Sequence, residues 1–184
     1  LGTIMATAHD MRREYTMADA LGGTDVPVAK MFAYCGDKDV IGAELYIMER
    51  IDGVPYRYAD ELRLLGEERT RAISTELVRT LAKLHAVDPA TVGLSDFGRP
   101  EGFLARQVKR WKTQLDASFT RELPGAEELY EKLVAAVPSV SASGIVHGDF
   151  RLDNVLMGSD DMPAAVIDWE MATLGDPLLD LALM

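Results

Sequence analysis

Apolar residues recur three or four positions apart across residues 9–21 (HDMRREYTMADAL), at Met11, Tyr15, Ala18 and Leu21, and this period predicts a helix. Asp10 is placed to cap it and Gly22-Gly23 to stop it. The period then drops to two. Extended segments are expected around Val28–Cys35 and Ala43–Ile51, joined by the polar turn Gly36-Asp37-Lys38-Asp39. In the second segment Leu45, Ile47 and Ile51 alternate with Tyr46, Met48 and Arg50, as in a half-buried strand, and Asp52-Gly53 ends it.

Beyond residue 53 the helical period dominates. Ile73, Leu77, Leu81 and Leu84 form a stripe between Glu67 and Val87, with Val78 beside it, and Asp88-Pro89 closes that helix. Residues 91–100 read as a loop punctuated by Gly and Pro. A basic amphipathic helix follows over 101–117, carrying Arg106, Lys109, Arg110 and Lys112, and another over 125–137 stops at Pro138. Three short extended pieces, Gly144–His147, Asn154–Met157 and Ala164–Trp169, precede a last helix begun by Gly175-Asp176-Pro177. The switch near residue 53 is the expected boundary between a first unit, 1–53, of helix plus hairpin and a mainly helical unit, 54–184.

Composition narrows the functions open to this chain. With 48% hydrophobic and 27% charged residues over 184 positions, it has the make-up of a soluble globular protein that buries a real core. Its 19 Lys and Arg stand against 30 Asp and Glu, a formal charge of −11 that repels phosphate backbones and argues against a nucleic-acid partner. A site for a polyanionic nucleotide would have to gather positive charge locally, from a metal, a few cations and backbone N–H groups. The single cysteine, Cys35, excludes an internal disulfide and is expected as a small buried hydrophobe at a strand end. No apolar run approaches a membrane span, and the start of the chain does not read as a signal peptide, so a cytoplasmic location is expected.

The chemistry concentrates in Ile145-Val146-His147-Gly148-Asp149-Phe150-Arg151-Leu152-Asp153-Asn154-Val155-Leu156, followed by Val166-Ile167-Asp168-Trp169-Glu170. Taken singly, Asp and Asn at strand ends are common turn residues. Together, His-x-Asp-x-x-x-x-Asn, a short hairpin, and an Asp after an apolar strand resemble the catalytic and metal loops shared by protein kinases and aminoglycoside phosphotransferases. Gly148 after the first Asp-flanking His, and Trp169-Glu170 after Asp168, point to the phosphotransferase branch.

That resemblance implies an α+β, protein-kinase-like two-lobe fold that uses ATP and Mg²⁺ to phosphorylate a small-molecule hydroxyl. It implies Asp149 as the group that orients the acceptor and takes its proton, with Asn154 and Asp168 as metal ligands. His147 and Asp180 are implied as braces of the catalytic loop. Glu14 stands where a helix Glu pairs with a phosphate-gripping Lys or Arg, although a surface Glu is ordinarily just solvated. Glu49, Arg50 and Ile51 resemble the hinge whose backbone meets adenine, although a strand end there could equally be a simple connection. By the same resemblance the glycine-rich loop and its Lys or Arg would lie upstream of Leu1, and the helices completing the acceptor pocket beyond Met184.

Further matching stretches, Leu84-His85-Ala86-Val87-Asp88-Pro89, Phe97-Gly98-Arg99-Pro100 and Arg106-Gln107-Val108-Lys109-Arg110-Trp111, are similar to phosphotransferase domains fused to some acyl-CoA dehydrogenases. This subgroup implies a hydroxyacyl-CoA-like acceptor, with Arg106, Arg110 and Glu170 as its contacts. The other reading of that helix is a solvated face with Trp111 packed inward. An aminoglycoside 3'-type phosphotransferase and a non-catalytic nucleotide- or partner-binding module remain the alternatives, and oligomeric state is open.

Overall fold

The computed structural model describes residues 10–184, so His9, at the start of the expected first helix, and the N-terminal residues weighed for a signal peptide lie outside it. Helix α1 (Met11–Leu21) begins where Asp10 accepts the N–H of Arg13 at 3.0 Å, satisfying one of the free amides of its first turn. Its buried face is Met17, Ala18 and Leu21. Met17 is fully buried, whereas Met11 and Tyr15 of the expected stripe are only half-buried.

Strands β1 (Met31–Cys35) and β2 (Leu45–Met48) pair antiparallel with Tyr34 opposite Tyr46. The alternation expected in β2 is not kept: Leu45 and Tyr46 are half-buried, whereas Ile47 and Met48 are both exposed. Ile47 is 54% exposed, while Tyr46 turns toward α1, its ring centroid 6.4 Å from that of Tyr15. A strand's period fixes which residues share a face, and the face chosen here is the one that meets α1. Cys35 ends β1, as expected, but is half-buried rather than buried.

Two helices follow, α2 (Ala59–Leu65) and α3 (Glu67–Ala86). The short α2 was not legible because it buries no residue; the Glu61 carboxylate, accepting the N–H groups of Arg57 (2.8 Å) and Tyr58 (2.7 Å), holds its start. Along α3 the predicted stripe is buried, joined by Thr80, and Val78 is 48% exposed. Helices α4 (Phe103–Ser118) and α5 (Ala126–Ala136) pack on each other.

The remaining strands form two small antiparallel pairs: β3 (Gly144–Val146) with β6 (Thr173–Gly175), and β4 (Val155–Met157) with β5 (Pro163–Val166). Helix α6 (Leu178–Leu183) ends the chain. Strand β6 has three residues, too few to show a period.

One apolar cluster joins these parts. It includes Met17 and Leu21 of α1, Ile73, Leu77, Leu81 and Leu84 of α3, and Ile145, Phe150, Val155, Val166 and Trp169 around the strands. Phe150 and Trp169 are its largest members, and truncating either to alanine would cost about 3–5 kcal/mol. Their position matters for function, because Phe150 follows Asp149 and Trp169 follows Asp168. Apolar anchors therefore hold both polar loops against the core. No helix of the described residues is long and apolar enough to cross a membrane.

Candidate active site

Strand β3 is buried at all three positions and delivers the chain to His147, Gly148 and Asp149. Gly148 turns with φ +88°, and a Cβ there would lie 2.8 Å from the Met171 carbonyl oxygen, so both the turn and the close approach require glycine. Asp180, fully buried on α6, accepts the N–H of His147 and of Gly148, each at 2.8 Å. His85 of α3 contributes a third contact, Nε2 to Asp180 Oδ2 at 3.0 Å. A buried carboxylate is tolerable only with such partners. Asp180→Ala would strand two backbone donors and the imidazole, and is expected to destabilise the fold by about 3–5 kcal/mol in urea unfolding.

His147 links the two polar loops. Its Nε2 lies 3.0 Å from the Ile167 carbonyl oxygen, which can only accept, so Nε2 carries the proton. Nδ1 is then free to accept the N–H of Asp149, at 3.3 Å. Burial pushes this imidazole below its usual range, which keeps it in that neutral tautomer. The ring also packs on Trp169, centroids 4.6 Å apart.

Asn154 ends a 3₁₀ turn, Leu152–Asn154, and is buried. Its Nδ2 donates to both the carbonyl and the carboxylate Oδ2 of Asp149, each at 2.9 Å. The Asn154 backbone carbonyl accepts the N–H of Ile167 at 2.9 Å, and Asp168 is the next residue. Hydrogen bonds on Asp149, Asn154 and Ile167 thus hold the two loops side by side. Asp168 adopts a left-handed conformation, φ +66° and ψ +59°, which costs about 1–2 kcal/mol for most residues and less for Asp or Asn.

Glu14 joins this group from α1. Its carboxyl is pushed above its ordinary range by burial, with the charges of Asp168 and Glu170 adding to the effect. The nearby Tyr46 hydroxyl and Trp169 backbone N–H offset part of that shift. Tyr46 is itself shifted up by burial and by Glu14. Carboxylates drawn together in this way favour a cation among them.

Mg²⁺ takes oxygen ligands in octahedral array and usually keeps several waters. Asn154, donating through Nδ2, retains Oδ1 as an acceptor, and Asp168 supplies a carboxylate, so the donor set suits that ion. Among the described residues no group of three or more His, Cys, Asp or Glu side chains could enclose a metal. Asn154 and Asp168 would be the residues that hold such an ion.

Glu49, Arg50 and Ile51 follow β2 directly. The Glu49 N–H donates to the Lys30 carbonyl at 2.8 Å, so the amide of that residue is committed within the hairpin. Arg50 is exposed and pairs with Asp52 at 3.2 Å. Val54 then bonds to Met157 of β4 in both directions, at 2.9 and 3.0 Å, and a Cβ on Gly53 would lie 2.8 Å from that of Leu156. The segment 49–53 thus runs from the first hairpin onto the second.

The Arg106 guanidinium donates to the carbonyls of Arg99 and Glu101, bracing the loop that enters α4. Arg110 is exposed on the same helix, and Trp111 is 49% exposed rather than packed inward. Sequence reasoning missed Arg13, His85 and Tyr46. Arg13 and Tyr46 lie beside or opposite Glu14, but nothing in the apolar period marks them; His85 stood in a quoted motif without a role.

The family model described as the phosphotransferase enzyme family matches residues 4–184. Acyl-CoA dehydrogenase family member 11 of Homo sapiens is 37% identical over 183 residues, which is 98% of this chain and 23% of that protein. Family member 10 of Mus musculus is 36% identical over 182 residues, 98% of this chain and 17% of that one. The chain therefore spans less than a quarter of these relatives. A solved Ralstonia eutropha structure, provisionally named an aminoglycoside phosphotransferase, is 41% identical with a TM-score of 0.85, covering 93% of this chain and 53% of its own. An aminoglycoside phosphotransferase solved with ADP and hygromycin B shares the fold at 20% identity and a TM-score of 0.66, covering 96% of this chain and 61% of its own. The fold class is thus α+β of the protein-kinase-like kind, as expected, and the chain belongs to the phosphotransferase enzyme family.

Proposed function

We propose that this chain carries the catalytic centre of an ATP- and Mg²⁺-dependent phosphotransferase whose acceptor is the hydroxyl of a small molecule. The supporting observation is the lock between the two loops: Asn154 holds the Asp149 carboxylate at 2.9 Å while its own backbone carbonyl, also at 2.9 Å, fixes the residue before Asp168. On this reading residues 1–53 belong to the nucleotide-side lobe and residues 54–184 to the helical lobe.

Phosphoryl transfer leaves the protein mainly the tasks of positioning and charge neutralisation. Asp149, its Oδ2 restrained by Asn154, orients the acceptor hydroxyl through the carboxylate. As the acceptor oxygen bonds to the terminal phosphorus and the bridging P–O bond breaks, the hydroxyl proton passes to Asp149. Asn154 Oδ1 and the Asp168 carboxylate would hold Mg²⁺, which when bound neutralises charge on the phosphate oxygens. Glu14, resting on Tyr46 and Trp169, faces this centre and would hold a phosphate-gripping cation. The backbone of residues 49–51 meets the adenine edge through groups other than the Glu49 N–H, which Lys30 already takes.

A hydroxyacyl-CoA-like acceptor is the preferred substrate class. It is favoured by 36–37% identity over 98% of the chain to acyl-CoA dehydrogenase family members, while the enzyme solved with hygromycin B is 20% identical and the 41% identical Ralstonia eutropha structure bears its aminoglycoside name only provisionally. Transfer from radiolabelled ATP to a panel of hydroxyacyl-CoA thioesters and aminoglycosides tests this in the complete polypeptide carrying the chain. Label on the thioesters is expected; label confined to aminoglycosides would reject the acceptor class, and label on neither would reject the activity.

A further inference from the structure

An arginine on a helix surface is normally solvated, but Arg13 reaches across the chain. Its Nε donates to the Ala172 carbonyl and a terminal guanidinium nitrogen to the Phe97 carbonyl, both at 3.0 Å. The guanidinium carbon sits 4.1 Å from the centroid of the Phe97 ring. Burial draws this guanidinium below its usual range, with Asp10 partly compensating, so the contact is made against a desolvation cost. Two in-plane donors and a stacked face use the planar geometry of the guanidinium, which a lysine ammonium cannot reproduce.

What Arg13 grips is informative. Ala172 is fully buried and closes the turn Trp169–Met171, its N–H donated to the Trp169 carbonyl at 3.0 Å. That turn begins directly after Asp168. Helix α1 packs on this turn, and Glu14, its next residue, lies by the Trp169 backbone N–H at the other end. Consecutive residues of one helix therefore bracket residues 169–172, one by a charge-assisted bond to the Ala172 carbonyl and one through a carboxylate.

We propose that Arg13 is a positioning residue for phosphoryl transfer: by clamping α1 to Ala172 and Phe97 it sets where the Glu14 carboxylate stands relative to Asp168. The proposal rests on the phosphotransferase reading of Glu14 and Asp168. Arg13 touches no reacting group and acts through Glu14. Displacements of about 1 Å at such a distance cost up to about 100-fold in rate, so the effect belongs in kcat rather than in acceptor affinity.

The test is a double-mutant cycle in the complete polypeptide, with kcat, acceptor KM and thermal midpoint for Arg13→Lys, Glu14→Gln and the double variant. Arg13→Lys is expected to lower kcat about 10- to 100-fold with acceptor KM within about 2-fold, and the double variant to be no slower than Glu14→Gln alone. Phe97→Leu removes the stacked ring but leaves the carbonyl acceptors, giving a gentler displacement of the same helix. Its loss of kcat is likewise expected to vanish in the Glu14→Gln background. Losses that multiply, as a merely structural clamp would give, overturn the proposal while leaving the phosphotransferase reading in place. An inactive wild-type protein overturns that reading and this proposal together.

Discussion

Replacing Asp149 with asparagine is expected to lower phosphoryl transfer about 10²- to 10⁴-fold while nucleotide affinity stays within about 2-fold. Asparagine is chosen because its side-chain oxygen can still accept the Nδ2 donor of Asn154, now at 2.9 Å from Oδ2, so the loop keeps its shape. What is lost is the capacity to take the acceptor proton. Asp149→Ala should match it in rate and add a stability loss, because the Asn154 amide then loses one of its two partners on residue 149. Initial rates with a competent acceptor and nucleotide titration calorimetry separate the two effects. Turnover at the wild-type level in Asp149→Asn would remove Asp149 from its proposed role.

Asp168→Asn should abolish metal-dependent activity with little harm to the fold. At φ +66° the backbone accepts Asn about as readily as Asp, so the substitution removes charge without adding strain. Losing a carboxylate that would hold Mg²⁺ is worth several kcal/mol of transition-state stabilisation, a fall of about 10²- to 10³-fold in kcat. Raising Mg²⁺ should recover only part of it. Thermal stability is expected to hold or rise, because Asp168 adds to the forces that push the Glu14 carboxyl up, and its neutralisation relieves them. A variant with normal kcat at ordinary Mg²⁺ would dismiss the assigned ligand. A large drop in melting temperature would show instead that the Asp168 charge supports the fold.

These two residues were legible in the sequence because a spaced motif beside apolar strands carries its own context. His147, Asp149, Asn154 and Asp168 each follow or precede a strand, and the core residues Phe150 and Trp169 beside them are buried. Helices α1 and α3 were equally readable, since each has an apolar face long enough to repeat. Legibility failed where packing, not period, decides. Burial along β2 depends on α1, so Tyr46 turns inward while Ile47 and Met48 are exposed. Helix α2 has no buried face to announce it, and β6 is too short to show one. The carbonyl contacts of Arg106 were not legible for a related reason. A cation on an amphipathic helix reads as a surface charge, and its use on the carbonyls of Arg99 and Glu101 depends on a loop geometry that no spacing encodes. His85 is the reverse case: an ordinary residue near a helix end that acquires meaning only when α6 brings Asp180 to within 3.0 Å.

The proposed activity depends on hard-oxygen side chains from two loops meeting at one divalent cation beside Asp149. The direct measurement is a crystal structure of the complete polypeptide with a non-hydrolysable ATP analogue and Mn²⁺, the cation located by its anomalous signal. The expected result is a peak ligated by Asn154 Oδ1 and the Asp168 carboxylate, touching the nucleotide phosphates, with the Asp149 carboxylate facing the acceptor side. A cation held by other residues, or phosphates bound away from Asp168, would contradict it.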